Sequence, residues 1–224
     1  MIPPDKPLSA ATPQRRENSM HGNLNSAIAT YNQELEERVA AWARAKIAPN
    51  RLGHVEGVVE TCETLARRYA PDDVARARLA GWIHDAAKHW PDDDLLAYAE
   101  ANHLPITEGD RAVPMLLHGI VAYALAADIF ELNDPELAAA CNHHTTGAPG
   151  MGTLEKIVFL ADLIEPGRDF PGVEALREAA ERDLDTAVLM AVDHTLRYLI
   201  DRQRVIDPRA LLLRNELLLN GVRY

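Results

Sequence analysis

Residues 81–88 read Gly81-Trp82-Ile83-His84-Asp85-Ala86-Ala87-Lys88. A histidine and an aspartate stand side by side in an apolar, Ala-rich setting. Imidazole and carboxylate are the two ligand types that hold a hydrolytic divalent metal. A His-Asp dipeptide is common by chance, so the pair carries weight only if other segments supply further ligands. On a helix predicted from Asp73 to Lys88 and stopped by Trp90-Pro91, Asp85 and Lys88 share a face. His84 lies about 100° from Asp85, near enough for both to reach one ion.

Upstream, His54, Val58, Cys62, Leu65 and Tyr69 fall on one face of a helix predicted from His54 to Tyr69, with Pro71-Asp72 as turn and cap. His54 therefore shares the face that should point into the core. Before it, Leu24, Ile28, Tyr31, Leu35, Val39 and Trp42 repeat at three and four, predicting a helix that Pro49-Asn50 ends. Downstream, Asp92 starts a shorter helix ending near Asn102. Arg111–Phe130 reads as one long helix with His118, Ala122, Leu125 and Ile129 on a stripe. Asp134-Pro135 opens a helix reaching His143 or His144, and a Gly-rich loop spans 145–152. The apolar stretch Leu154–Ile164 contains Asp162. After Glu165-Pro166-Gly167 come two amphipathic helices, about Val173–Arg182 and Leu184–Gln203, and Pro208 opens a last one ending near Asn220-Gly221. No segment alternates with period two and no repeat stands at fixed spacing. The fold class is all-α.

A formal charge of −11 over 224 residues makes a poor general nucleic-acid binder, because phosphate contacts need clustered Lys and Arg. A polyanionic substrate would need the local field reversed by metal ions and a few basic side chains. The longest apolar run, Met115–Phe130, is broken by His118 and Asp128 and is shorter than the ~20 residues of a membrane span. Cys62 and Cys141, the two cysteines, form no CxxC and read as reduced and buried, as in a cytoplasmic protein. Residues 1–22 are rich in Pro, Ser, Arg and Asn and lack an apolar core. They read as a disordered, dispensable leader, or Met20 is the true start. Residues 23–224 read as a single domain.

Six polar residues stand where apolar ones are expected: His54, His84, Asp85, His118, His144 and Asp162. A charged aspartate between Leu160-Ala161 and Leu163-Ile164 is costly unless paired or metal-bound. Each residue alone has a bland explanation, a core histidine bonded to a carbonyl or an aspartate paired with arginine. In the order H, HD, H, H, D on successive helices, that explanation must hold six times.

This order resembles the HD superfamily of metal-dependent phosphohydrolases, an all-helical fold, here an HD-domain helical bundle. Narrower likeness follows downstream. His144-Thr145-Thr146-Gly147 and the run Ala161-Asp162-Leu163-Ile164-Glu165-Pro166-Gly167-Arg168-Asp169-Phe170-Pro171-Gly172-Val173 look like the YqeK family of symmetrical bis(5′-nucleosyl)-tetraphosphatases. The likeness runs from about residue 51 to 215. It implies metal ligation by His54, His84, Asp85, His118, His144 and Asp162. Asp85 would bridge two metals, with His54, His84 and Asp162 on one side and His118 and His144 on the other. It implies phosphate contacts from Arg51, Lys88 and Arg168, substrate contacts from Thr145 and Thr146, and a nucleoside flank at Ile206-Asp207-Pro208. Two departures stand out. His143 precedes His144 where an aromatic residue is more usual, so either could be the ligand, and the following Thr-Thr-Gly favours His144. Asp207 stands where the family often has histidine.

His89, His103 and His194 read as solvated, surface and packing residues respectively. The family's implied reaction is symmetric cleavage of diadenosine tetraphosphate to two ADP by metal-activated hydroxide, with Asp85 and Lys88 as the catalytic residues. The imidazole–carboxylate set suits iron, manganese or cobalt and permits zinc; the resemblance favours iron. The alternatives are another HD phosphohydrolase, acting on nucleoside mono- or triphosphates or cyclic dinucleotides, and a nucleotide-sensing module without turnover. The long apolar helices leave room for a homodimer.

Overall fold

The computed structural model describes residues 31–224. The expectations about a leader and about Met20 lie outside the described residues. Among them are eleven α-helices and no strand, as the absence of period-two patterning predicts. They are α1 (Gln33–Lys46), α2 (Leu52–Tyr69), α3 (Val74–Ile83), α4 (Asp92–Ala101), α5 (Glu108–Ala112), α6 (His118–Phe130), α7 (Pro135–His143), α8 (Thr153–Ile164), α9 (Val173–Ala180), α10 (Leu184–Asp201) and α11 (Pro208–Leu219).

Three boundaries differ from the sequence reading. Tyr31 and Asn32 are not helical. Asn32 is extended (φ −98°, ψ 170°) and caps α1, its side chain accepting the Leu35 N–H at 2.9 Å. The apolar repeat through Tyr31 is therefore not one continuous helix, and Tyr31 instead donates to Asp134 Oδ2 at 2.7 Å.

The helix expected to reach Lys88 stops at Ile83. Beyond it the chain tightens: Ala86 N–H bonds Ile83 O at 2.9 Å, Lys88 N–H bonds Asp85 O at 3.0 Å, and Trp90 N–H bonds Ala87 O at 3.1 Å. Such three-residue turns eclipse positions i and i+3. Asp85 and Lys88 are thereby stacked, with Lys88 Nζ 3.9 Å from Asp85 Oδ1.

The long helix expected over Arg111–Phe130 is broken by Pro114. Val113, forced out of the helical region by the following proline, sits at φ −138°, ψ 76°. A 3-10 turn over Pro114–Leu117 then leads into α6, which begins at His118.

The core gathers around α2, which packs against α3 and α8, while α7 joins α6 to α8. Val55, Val58 and Cys62 of α2, Leu79 and Ile83 of α3, and Ile157 and Leu160 of α8 are all buried. Burying each large aliphatic chain contributes about 1.5–3 kcal/mol. Truncating Leu160 to alanine would cost about 2–5 kcal/mol, since its surroundings on several helices cannot all collapse into the gap. The consequence for function is positional. The start of α2, the tail of α3, the start of α6, the end of α7 and the last turn of α8 bring polar side chains to one buried point.

Candidate metal centre

Asp85 lies at that point, 1% exposed, among His84, His118 and His144, which are also buried. Its two carboxylate oxygens face different partners. Oδ1 is 3.1 Å from His118 Nε2 and 3.7 Å from His144 Nε2. Oδ2 is 3.6 Å from His84 Nε2 and 3.8 Å from His54 Nε2. Two ligand triads result, His54–His84–Asp85 and Asp85–His118–His144. Asp162 flanks the first, with Oδ1 2.9 Å from His54 Nε2.

Three of these imidazoles are held in the same way. His84 Nδ1 donates to Gly81 O at 2.7 Å, His118 Nδ1 to Met115 O at 2.5 Å, and His144 Nδ1 to Cys141 O at 2.7 Å. Each acceptor lies three residues earlier, at a helix end or a tightened turn. Since a carbonyl can only accept, the proton sits on Nδ1 and the Nε2 lone pair points inward. This is the second-shell arrangement that fixes histidine as a metal ligand. His54 is oriented differently, by Glu165 Oε1 at 3.0 Å.

The bland explanation foreseen for each residue alone is thus partly real. Carbonyls do hold the histidines, and Arg168 does pair with Asp162, at 2.7 Å. These bonds leave the inward atoms unspent. His54 Nε2, His84 Nε2 and Asp85 Oδ1 are buried without a hydrogen-bond partner. His118 Nε2 and His144 Nε2 face each other at 3.0 Å. Inward lone pairs crowded around a carboxylate fit a divalent cation and are costly without one.

The electrostatics agree with that fit. Burial would by itself raise the Asp85 carboxyl; the surrounding His84, His118 and His144 outweigh it and hold the group well below the usual range. Burial pushes His84 down, and burial together with His118 and His84 pushes His144 well below its ordinary value. A neutral imidazole beside an ionised carboxylate is the state a cation requires. Burial also lowers Lys88, with Asp85 and Asp162 pulling it back up.

The basic residues named from sequence lie around the cluster. Arg51 Nε donates to Asp85 Oδ2 at 2.6 Å. Lys88 Nζ is 3.2 Å from His118 Nε2. Arg168 clamps Asp162 twice, Nε to its carbonyl and a terminal nitrogen to Oδ1, both at 2.7 Å. Thr145 Oγ1 is 3.0 Å from His144 Nε2, whereas the buried Thr146 hydroxyl donates to Gly147 O.

His143 turns away to Glu155 Oε1 at 2.6 Å, which leaves His144 as the histidine of the cluster. Asp207 caps α11, accepting the Arg209 N–H at 2.8 Å, and pairs with the Arg209 guanidinium, which also reaches Asp110. Ile206 is partly buried and Pro208 is exposed at the first position of α11. His89 and His103 are exposed, and His194 stacks on Phe170 with ring centroids 4.3 Å apart. The residue the sequence reading passed over is Glu165. Its signal was its place, directly after the apolar stretch that carries Asp162 and ahead of Pro-Gly.

The model of the HD domain family matches residues 51–167, more than half of the chain. The chain belongs to the HD domain family. Within it, this HD protein is similar to the symmetrical bis(5′-nucleosyl)-tetraphosphatase of Bacillus subtilis (strain 168), at 32% identity over 179 residues, 80% of this chain and 95% of the relative. A protein of the same name from Halalkalibacterium halodurans is 35% identical, over 77% of this chain and 91% of its own. Among solved structures, the HD protein resembles an HD superfamily hydrolase from Clostridium acetobutylicum, described as involved in NAD metabolism. The TM-score is 0.77 at 34% identity, covering 82% of this chain and 97% of that one. Among the described residues of the HD protein, no helix is long and apolar enough to cross a membrane.

Proposed function

We propose that this HD protein hydrolyses diadenosine tetraphosphate symmetrically to two ADP at a centre of two metal ions, with iron the first candidate. The observation that carries this is the division of one buried carboxylate, Asp85, between two triads that each contain histidines. The named activity of the relatives, matched over most of both chains, supports the substrate.

His54, His84, Asp85 and Asp162 would hold one ion, and Asp85, His118 and His144 the other. Bound there, the ions supply Lewis acidity and a nucleophile available at neutral pH. The chain's own residues do the rest. Arg51 and Arg168 hold phosphate oxygens and set the tetraphosphate across the cluster, and Thr145 and Thr146 line the edge beside His144. Lys88, stacked on Asp85, offsets charge on the phosphoryl group under attack, worth about 3 kcal/mol in a site shielded from water. Ile206 and Pro208 flank a nucleoside. Water adds to one of the two central phosphorus atoms, the bridging P–O bond between them breaks, and the bridging oxygen leaves with the second ADP.

The test is product chromatography from diadenosine tetraphosphate beside metal analysis of anaerobically purified protein. ADP as sole product, with activity and metal both lost in Asp85→Ala, is the expected result. Retained turnover in Asp85→Ala would sink the assignment. Preferential turnover of a nucleoside triphosphate or a cyclic dinucleotide would place the chain elsewhere in the HD family.

A further inference from the structure

Four histidines reach the cluster, and one is held unlike the others. His84, His118 and His144 give Nδ1–H to neutral main-chain carbonyls. His54 sets Nδ1 against the carboxylate of Glu165 at 3.0 Å. Glu165 is 3% exposed, and its second oxygen accepts the Gly167 N–H at 2.5 Å. Gly57 makes room for it: a Cβ there would stand 2.6 Å from Glu165 Oε2. Arg177 fixes the backbone on either side, donating to Ile164 O at 2.9 Å, Glu165 O at 2.8 Å and Arg168 O at 2.9 Å.

A carboxylate behind an imidazole raises the basicity of the nitrogen that faces a metal, more than a neutral carbonyl does. The other side of the cluster lacks such a carboxylate: His118 and His144 rest on main-chain carbonyls, and among the described residues no counterpart of Asp162 stands beside them in that triad. Cationic side chains flank both sides, Arg51 Nε 2.6 Å from Asp85 Oδ2 and Lys88 Nζ 3.9 Å from Asp85 Oδ1, so the difference lies in the carboxylates. We propose that Glu165, acting as a positioning residue through His54, makes the two metal sites unequal. The His54–His84–Asp85 side takes a divalent cation first and more tightly; the Asp85–His118–His144 side fills second. The inference rests on the metal-centre reading above.

The test is stepwise Mn²⁺ uptake by the metal-stripped full chain, followed by calorimetry and electron paramagnetic resonance. Wild type should show two steps, the first giving an uncoupled Mn²⁺ spectrum and the second a spin-coupled pair. Glu165→Gln should weaken the first step about 10–100-fold. His54→Ala should lose the tight step, and His118→Ala should keep it while losing the weak one. Should Glu165→Gln fail to fold, the His54→Ala and His118→Ala pair still decides which side is tight. Two equal steps in wild type, a tight step that survives His54→Ala, or an unchanged first step in Glu165→Gln would overturn the inference and leave the metal centre standing. No uptake by wild type would overturn the metal centre and this inference with it.

Discussion

Nε2 of His118 and Nε2 of His144 face each other at 3.0 Å, although the Nδ1 of each ring is committed to a main-chain carbonyl. Two inward lone pairs at that distance repel; the Lys88 ammonium 3.2 Å from His118 Nε2 and the Thr145 hydroxyl 3.0 Å from His144 Nε2 relieve this in part, and a divalent cation lying against both nitrogens would relieve it further. Metal removal should therefore destabilise the protein as well as silence it. Stripping with a chelator should lower the melting temperature, and readdition at about a hundred times the Kd should restore about 2.7 kcal/mol. Thermal melts with and without chelator check this; identical melts would count against a cation at the cluster.

Lys88 and Arg51 should separate in kinetics. The two side chains are about equally exposed, 23% for Lys88 and 26% for Arg51, but Arg51 Nε is tied to Asp85 Oδ2 at 2.6 Å, whereas Lys88 Nζ stands 3.9 Å from Asp85 Oδ1 and faces His118 Nε2. Lys88→Gln should lower kcat about 10²–10³-fold with little change in KM. Arg51→Gln should act mainly on KM. Steady-state kinetics on diadenosine tetraphosphate distinguish the two, and the reverse pattern would exchange their roles.

Gly119 lets α6 lie directly against the end of α7. A Cβ there would overlap the Cys141 carbonyl and stand 3.0 Å from His144 Nδ1. That carbonyl is the acceptor that orients His144. Gly119→Ala should cost about 1–3 kcal/mol from overpacking and should also weaken metal binding on the His118–His144 side. Denaturant melts and metal content give the two readouts; loss of stability with full metal content would separate packing from ligand orientation.

Away from the site, Asp134 caps α7 and accepts two bonds at 2.8 Å from Arg76 and one at 2.7 Å from Tyr31. Burial alone would raise its carboxyl; Arg76, the Leu137 N–H and Tyr31 together hold it below the usual range. A carboxyl depressed in the folded state contributes stability above its unfolded pKa of about 3.9 and loses it as pH falls. Asp134→Asn should thus be destabilised most at neutral pH, by about 1–2 kcal/mol, because Arg76 keeps Asp73 and Glu136 as partners. The gap to wild type should narrow below about pH 4. Urea melts at several pH values test the slope; a constant gap would contradict it.

The sequence by itself determined the fold class and the order of the six candidate residues, because both are written in local terms. Apolar residues at three and four mark helices, and His54, His84, Asp85, His118, His144 and Asp162 declare themselves by standing among them. Helix ends were less legible. The tail of α3 and the break at Val113-Pro114 sit in apolar stretches whose periodicity does not record where four-residue bonding gives way to three-residue turns. Those ends matter, since Gly81, Met115 and Cys141 present there the carbonyls that orient three of the histidines. The choice of His144 over His143 likewise needed the side-chain direction that Glu155 reveals. Glu165 was invisible as a partner of His54 because 111 residues separate them. Residue types and spacing fix which groups a chain offers. Only the packing of α2 against α8 decides that the Glu165 carboxylate meets the His54 imidazole, and only the folding of the α3 tail decides that Asp85 divides its two oxygens between two triads.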